Sequence, residues 1–89
     1  MGTRLYVANL SYELTKRELR EFFREVGEPK EIKLMIDLDT GRNKGFGFVE
    51  MRTELEAHRA IIQLRGKMLH GRDVIICEAR EKVRAPIKV

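Results

Sequence analysis

Tryptophan is absent, and one cysteine, two prolines and six aromatic residues are all that 89 positions hold of those types. A lone thiol, Cys77, excludes an internal disulfide framework and suits a reducing compartment. Apolar runs such as Val74 to Cys77 fall far short of the roughly 20 residues that a membrane helix needs. No charged-then-apolar leader opens the chain, so no secretory signal is expected. Neither G-x-G-x-x-G nor G-K-[ST] occurs, which removes the dinucleotide and phosphate-loop fingerprints. His58, His70 and Cys77 lack the C-x-x-C or H-x-x-x-H spacing of a metal site, and both histidines read as plain surface residues. No catalytic partner is arranged around Cys77. What remains is one small domain without cofactor, expected in the cytoplasm, or in the nucleus if it is cut from a longer eukaryotic chain.

The charge is unevenly placed. Of a net +4, most comes from residues 80–89, where Arg80, Lys82, Arg84 and Lys88 face Glu81 alone. The division expected is a domain over 1–80 and a basic tail over 81–89. Such tails serve as nucleic-acid-binding arms and equally as solubilising ends.

Leu5 and Val7 alternate with Tyr6 and Ala8, predicting a strand over Arg4 to Asn9. Thr15 and Glu18 form a T-x-x-E capping box, after which Leu19, Phe22, Phe23 and Val26 keep the i, i+3, i+4, i+7 spacing of an apolar helix stripe. Gly27 is expected to supply a left-handed stop, and Pro29 prevents continuation. A second strand spans Lys30 to Asp37, with Ile32, Leu34 and Ile36 on one face and Lys33 and Met35 on the other. The turn-rich stretch Asp37 to Lys44 then leads into a third strand, Phe46 to Met51. Thr53 and Glu56 form a second capping box, before a helix bearing Ala57, Ala60, Ile61 and Leu64 and ended by Gly66. Met68-Leu69 between Gly66 and Gly71 suggests a small hairpin, and Asp73 to Ala79 reads as the last strand. The order strand, helix, strand, strand, helix, strand predicts an α+β, ferredoxin-like βαββαβ sandwich, with two helices on one face of a four-stranded antiparallel sheet.

One sheet face then has no cover. Period two places Leu5, Val7, Ile32, Leu34, Ile36, Val49, Met51, Val74 and Ile76 toward the helices, and Tyr6, Ala8, Lys33, Met35, Phe46, Phe48, Glu50, Ile75 and Cys77 away from them. A slip of one residue would bury Tyr6, Phe46 and Phe48 but expose Leu5, Val7 and Val49. Fully burying one large apolar side chain is worth roughly 1.5–3 kcal/mol. Half of the aromatics therefore forgo that gain, which marks a binding surface. Flat rings flanked by Lys33, Arg42 and Lys44 suit stacked bases with phosphates alongside, each stacked base contributing about 1–3 kcal/mol. Gly45 and Gly47, on the inward face of the third strand, are expected to admit a helix side chain.

Lys44-Gly45-Phe46-Gly47-Phe48-Val49-Glu50-Met51 fits K/R-G-F/Y-G/A-F-V-x-F/Y at seven of eight places, Met51 being the exception. Leu5-Tyr6-Val7-Ala8-Asn9-Leu10 fits the hexamer that accompanies that pattern. Through these motifs the sequence resembles the RNA recognition motif family over residues 4 to about 80, and its size resembles the small single-domain bacterial RNA-binding proteins of that family. The resemblance implies a non-catalytic domain that binds single-stranded RNA in post-transcriptional regulation or processing; a monomer is expected, and single-stranded DNA stays open as a competing ligand. It implies that Tyr6 and Phe48 stack successive bases, that Phe46 lies against the sugars, and that Lys44 neutralises a phosphate. Lys33, Met35 and Arg42 join that surface, and the last strand with Arg80, Lys82 and Arg84 reaches base edges and backbone. Ile75 and Cys77 stand where the family more often has polar residues, so either base-edge contacts are few there or this edge meets an apolar protein partner. The rival functions are a protein-binding module of the same fold, which the intact Tyr6, Phe46 and Phe48 oppose, and an acylphosphatase-like enzyme, whose Arg–Asn anion site has no counterpart.

Overall fold

The first strand, β1 (Arg4–Ala8), enters the sheet centre with Leu5 and Val7 fully buried and Tyr6 and Ala8 half-buried on the other face. The structure, a computed structural model, describes residues 2–79; Arg80, Lys82 and Arg84 lie outside the described residues. Helix α1 (Lys16–Phe23) starts at the predicted capping box. Glu18 N donates to Thr15 Oγ1 at 3.1 Å, and Thr15 N donates to Glu18 Oε1 at 3.0 Å. Two of the amides that a first helical turn leaves unpaired are thereby satisfied. The Arg24 amide caps the other end by donating to the Arg20 and Glu21 carbonyls, and the Gly27 amide donates to the Phe23 carbonyl.

Gly27 is not left-handed, contrary to expectation. Its value is space. The Glu56 carboxylate lies 2.8 Å from where a Cβ would stand on Gly27. That placement also explains why only half of the second capping box forms. Helix α2 (Glu54–Leu64) begins with Glu56 N donating to Thr53 Oγ1 at 3.1 Å, but the Glu56 side chain turns toward Gly27 instead of back to Thr53, leaving Oε1 buried without a partner. Gly66 ends this segment as expected, and it is the left-handed one of the two glycines, with φ +84°.

The remaining strands are β2 (Glu31–Ile36), β3 (Asn43–Glu50) and β6 (Ile75–Glu78), with a separate hairpin of β4 (Met68–Leu69) and β5 (Arg72–Asp73). The last sheet strand thus starts at Ile75, because Asp73 belongs to the hairpin. The four-stranded sheet runs β2-β3-β1-β6, every pair antiparallel. Leu5, Val7, Ile32, Val49 and Ile76 join Leu19 and Phe23 of α1 and Ala57, Ala60 and Leu64 of α2 in one core, so both helices pack on the same face. Ile36, assigned to that face, is 44% exposed. It sits at the end of an edge strand, where the pairing with β3 slips. Leu34 opposes Gly47 and Ile36 opposes Asn43, so Lys44, Gly45 and Phe46 together face Met35 alone. Gly45 takes the left-handed conformation within this bulge, at φ +95°.

Candidate nucleic-acid interface

Strand alternation carries the aromatic residues onto the face that the helices leave bare, and register sets their order across it. Lys33 of β2 opposes Phe48 of β3, Phe48 opposes Tyr6 of β1, and Tyr6 opposes Cys77 of β6. The next row has Phe46, Ala8 and Ile75. The Tyr6 ring centroid lies 5.7 Å from that of Phe48 and 6.1 Å from that of Phe46, both tilted. These are attractive separations for aromatic pairs. Tyr6 thus stands beside both phenylalanines, and all three rings are half-buried rather than covered. Ile75 is 53% exposed and Cys77 is exposed, which extends the apolar surface to the β6 edge. At the opposite end of the strands Arg4 pairs with Glu50 at 3.8 Å, closing the apolar area with balanced charge.

Close approach explains Gly47. A Cβ there would stand 2.6 Å from the Lys33 carbonyl oxygen and 3.1 Å from the Leu34 Cα. The neighbour is therefore the β2 backbone, and for Gly45 it is the Tyr12 ring, whereas a helix side chain was expected at both. Lys33, Arg42 and Lys44 are exposed, and Met35 is half-buried opposite the bulge. Asp37 and Asp39 serve the turn as expected: Asp39 N donates to Asp37 Oδ1 at 2.9 Å, and Asp37 N donates to the Arg42 carbonyl at 2.8 Å.

Two positions that hold this surface in place, and a third that joins the hairpin to α1, carry no periodic signal in the sequence. Asn43, 3% exposed, donates from Nδ2 to the carbonyls of Ser11 at 2.8 Å and Leu14 at 2.9 Å, and its Oδ1 accepts from Gly45 N at 2.6 Å. One side chain thus fixes the loop before α1 to the bulge that orients Phe46. Asn9, left-handed at φ 59°, donates to the Asp73 carbonyl at 2.8 Å and accepts from Arg72 Nη2 at 3.0 Å, tying the end of β1 to the hairpin. His70, read as a plain surface residue, places Nε2 3.1 Å from Glu18 Oε1. The Thr15 backbone N–H, with help from the His70 side chain, holds the Glu18 carboxyl below the usual carboxylate range. Among the described residues no group of three or more His, Cys, Asp or Glu side chains is placed to hold a metal ion, and no helix is long and apolar enough to cross a membrane.

Comparison with known proteins places this geometry in a family. RbpB of Nostoc sp. (strain PCC 7120), named as an RNA-binding protein, is 42% identical over 78 residues, covering 88% of this chain and 76% of its own. Glycine-rich RNA-binding protein 2 of Arabidopsis thaliana mitochondria is 36% identical, covering 97% of this chain and 54% of its own. Among solved structures, the Sex-lethal protein/RNA complex has a TM-score of 0.83 at 32% identity, covering 90% of this chain and 48% of that one. The Rna15 domain with bound RNA (GU) has a TM-score of 0.83 at 26% identity, covering 89% and 84%. The family model described as RNA recognition motif matches residues 5–75. With most of its length inside that match, the chain belongs to the RNA recognition motif family.

Proposed function

We propose that this domain binds single-stranded RNA on the uncovered face of the sheet and performs no catalysis. The observation that carries the reading is the cluster of Tyr6, Phe46 and Phe48, with the Tyr6 ring beside each of the other two on a face with no helix over it. In this reading Tyr6 and Phe48 stack successive bases and Phe46 packs against the sugars between them. Lys33, Arg42 and Lys44 neutralise phosphates, Met35 borders the platform, and Arg80, Lys82 and Arg84 of the tail add backbone contacts. The domain acts as a monomer in the cytoplasm, over residues 1–80 with the basic tail 81–89 attached, in post-transcriptional regulation or processing. Single-stranded DNA competes, less well where a 2′-hydroxyl is read. RNA-bound relatives of the same fold support the reading.

The exposed Ile75 and Cys77 favour a second occupant at the β6 edge, an apolar protein segment lying beside the RNA rather than in place of it. The deciding experiment is a nitrogen–proton NMR titration with a randomised single-stranded RNA pool at low salt. Shifts concentrated on Tyr6, Lys33 and Lys44 to Phe48 are expected. A folded sample with no shift at those residues would refute the RNA reading and turn attention to the protein partner.

A further inference from the structure

The three-ring platform leaves one exposed aromatic unused. Tyr12, in the loop before α1, is 58% exposed, so it forgoes much of the gain its burial would bring. It is nevertheless held in place. The Tyr12 carbonyl accepts from Asn43 N at 3.3 Å, and the Asn43 side chain binds the carbonyls on either side, those of Ser11 and Leu14. The Tyr12 ring edge lies 3.3 Å from where a Cβ would stand on Gly45, so the missing side chain there gives the ring its seat. Gly45 separates Lys44 from Phe46, which puts Tyr12 one residue beyond the platform along β3.

Beside the ring is a recess of about 370 Å³ lined by Tyr12, Asp37, Thr40, Arg42, Asn43 and Lys44. That volume lies within the range of small-molecule sites, about 300–1,000 Å³. Its chemistry is mixed in the way a nucleotide requires: a flat ring, two cations and a hydroxyl. Asp37 adds an anion, but its Oδ1 already accepts from the Asp39 amide. A fixed aromatic loses little freedom on binding, so stacking on it is not offset by a large ordering cost.

The geometry points to Tyr12 as a fourth stacking position, taking one further base of the bound strand while Arg42 and Lys44 take its phosphate. This inference rests on RNA binding at the three-ring platform and extends the footprint past it. The test compares affinities for randomised trinucleotide and hexanucleotide RNA pools, by fluorescence anisotropy at low salt, for the parent and for Tyr12→Ala, Tyr12→Phe and Phe48→Ala. A hexanucleotide offers a trinucleotide site four registers, so a gain of about fourfold needs no added contact. The parent is expected to exceed it, because one stacked base is worth about 1–3 kcal/mol, or about 5- to 150-fold. Tyr12→Ala should lower the hexanucleotide-to-trinucleotide affinity ratio by about fivefold or more, and Tyr12→Phe should restore it. An unchanged ratio in folded Tyr12→Ala overturns the inference, as does an equal loss for both pools, which would make Tyr12 a support for the loop. Phe48→Ala should weaken both pools together. If it changes neither, the platform reading fails as well, and the two failures remain distinguishable.

Discussion

Phe48 has Tyr6 on one side and Lys33 on the other, at the centre of the bare sheet face. Its ring is half-buried, so truncation removes a stacking surface without emptying the core. Phe48→Ala is expected to weaken RNA binding by about 1–3 kcal/mol with a native-like amide spectrum, read by anisotropy and NMR on one sample. Full affinity in a folded variant would place the site elsewhere. Asn43 presents the opposite case, a buried residue that touches no ligand in this reading and satisfies three backbone groups. Asn43→Ala takes this partner from the Leu14 carbonyl and the Gly45 amide, while the Ser11 carbonyl keeps the Leu14 amide, and leaving one buried polar group unpaired costs about 1–3 kcal/mol. The expected loss in urea denaturation is therefore at least that large, and a midpoint equal to the parent's would show that water replaces the side chain without cost.

At the scale of elements, α1 depends on a cap whose carboxylate is charged. Glu18 Oε1 accepts from the Thr15 amide and sits beside His70, and these contacts keep its carboxyl below the usual range. A lowered carboxylate pKa adds stability that is present above the unfolded value and fades as pH falls through the folded one. Parent and Glu18→Gln should therefore differ most near neutrality and converge in melting temperature below about pH 4. A constant gap would remove the carboxylate charge from the cap. Deeper in the same helix, Leu19→Ala empties a fully buried site and is expected to cost about 2–5 kcal/mol. Ile61→Ala on α2, only half-buried, should cost less. These elements were legible because the cap of α1, the helix stripes and the alternation of Tyr6 with Leu5 and Val7 are local patterns with fixed periods. The bulge at Lys44 to Phe46, the turn of Glu56 toward Gly27 and the reach of Asn43 to Ser11 join segments distant in sequence, and no period encodes them. The outward set Tyr6, Phe46 and Phe48 was legible because it lies within single strands. Tyr12 was not, because its seat is made by a glycine 33 positions away.

For the whole molecule, charge decides how the platform meets its ligand. Several carboxylates on the helix side are already engaged, as in Arg20 with Glu28 at 3.0 Å, Arg24 with Glu21 at 3.3 Å and Lys67 with Glu25 at 2.7 Å. Such exposed pairs add little stability, commonly 0–1 kcal/mol, but they neutralise that side. Among the described residues Lys33, Arg42 and Lys44 take part in no ion pair within 4.0 Å, so they face the solution with their charge uncompensated. Residues 80–89 add four basic side chains against one acidic. Each phosphate neutralised on a single strand contributes about −0.7 to the slope of log K against log salt. Removing residues 81–89 takes away Lys82, Arg84 and Lys88, so the slope should become shallower by about 2 if all three reach the backbone. The loss of affinity should be similar for unrelated RNA sequences, because phosphate contacts do not read bases. Phe48→Ala should instead lower affinity with the slope unchanged, since stacking releases no counterions. If the truncated chain keeps the parent slope, the tail is a solubilising end, and the cations beside the sheet carry the electrostatic part of binding alone.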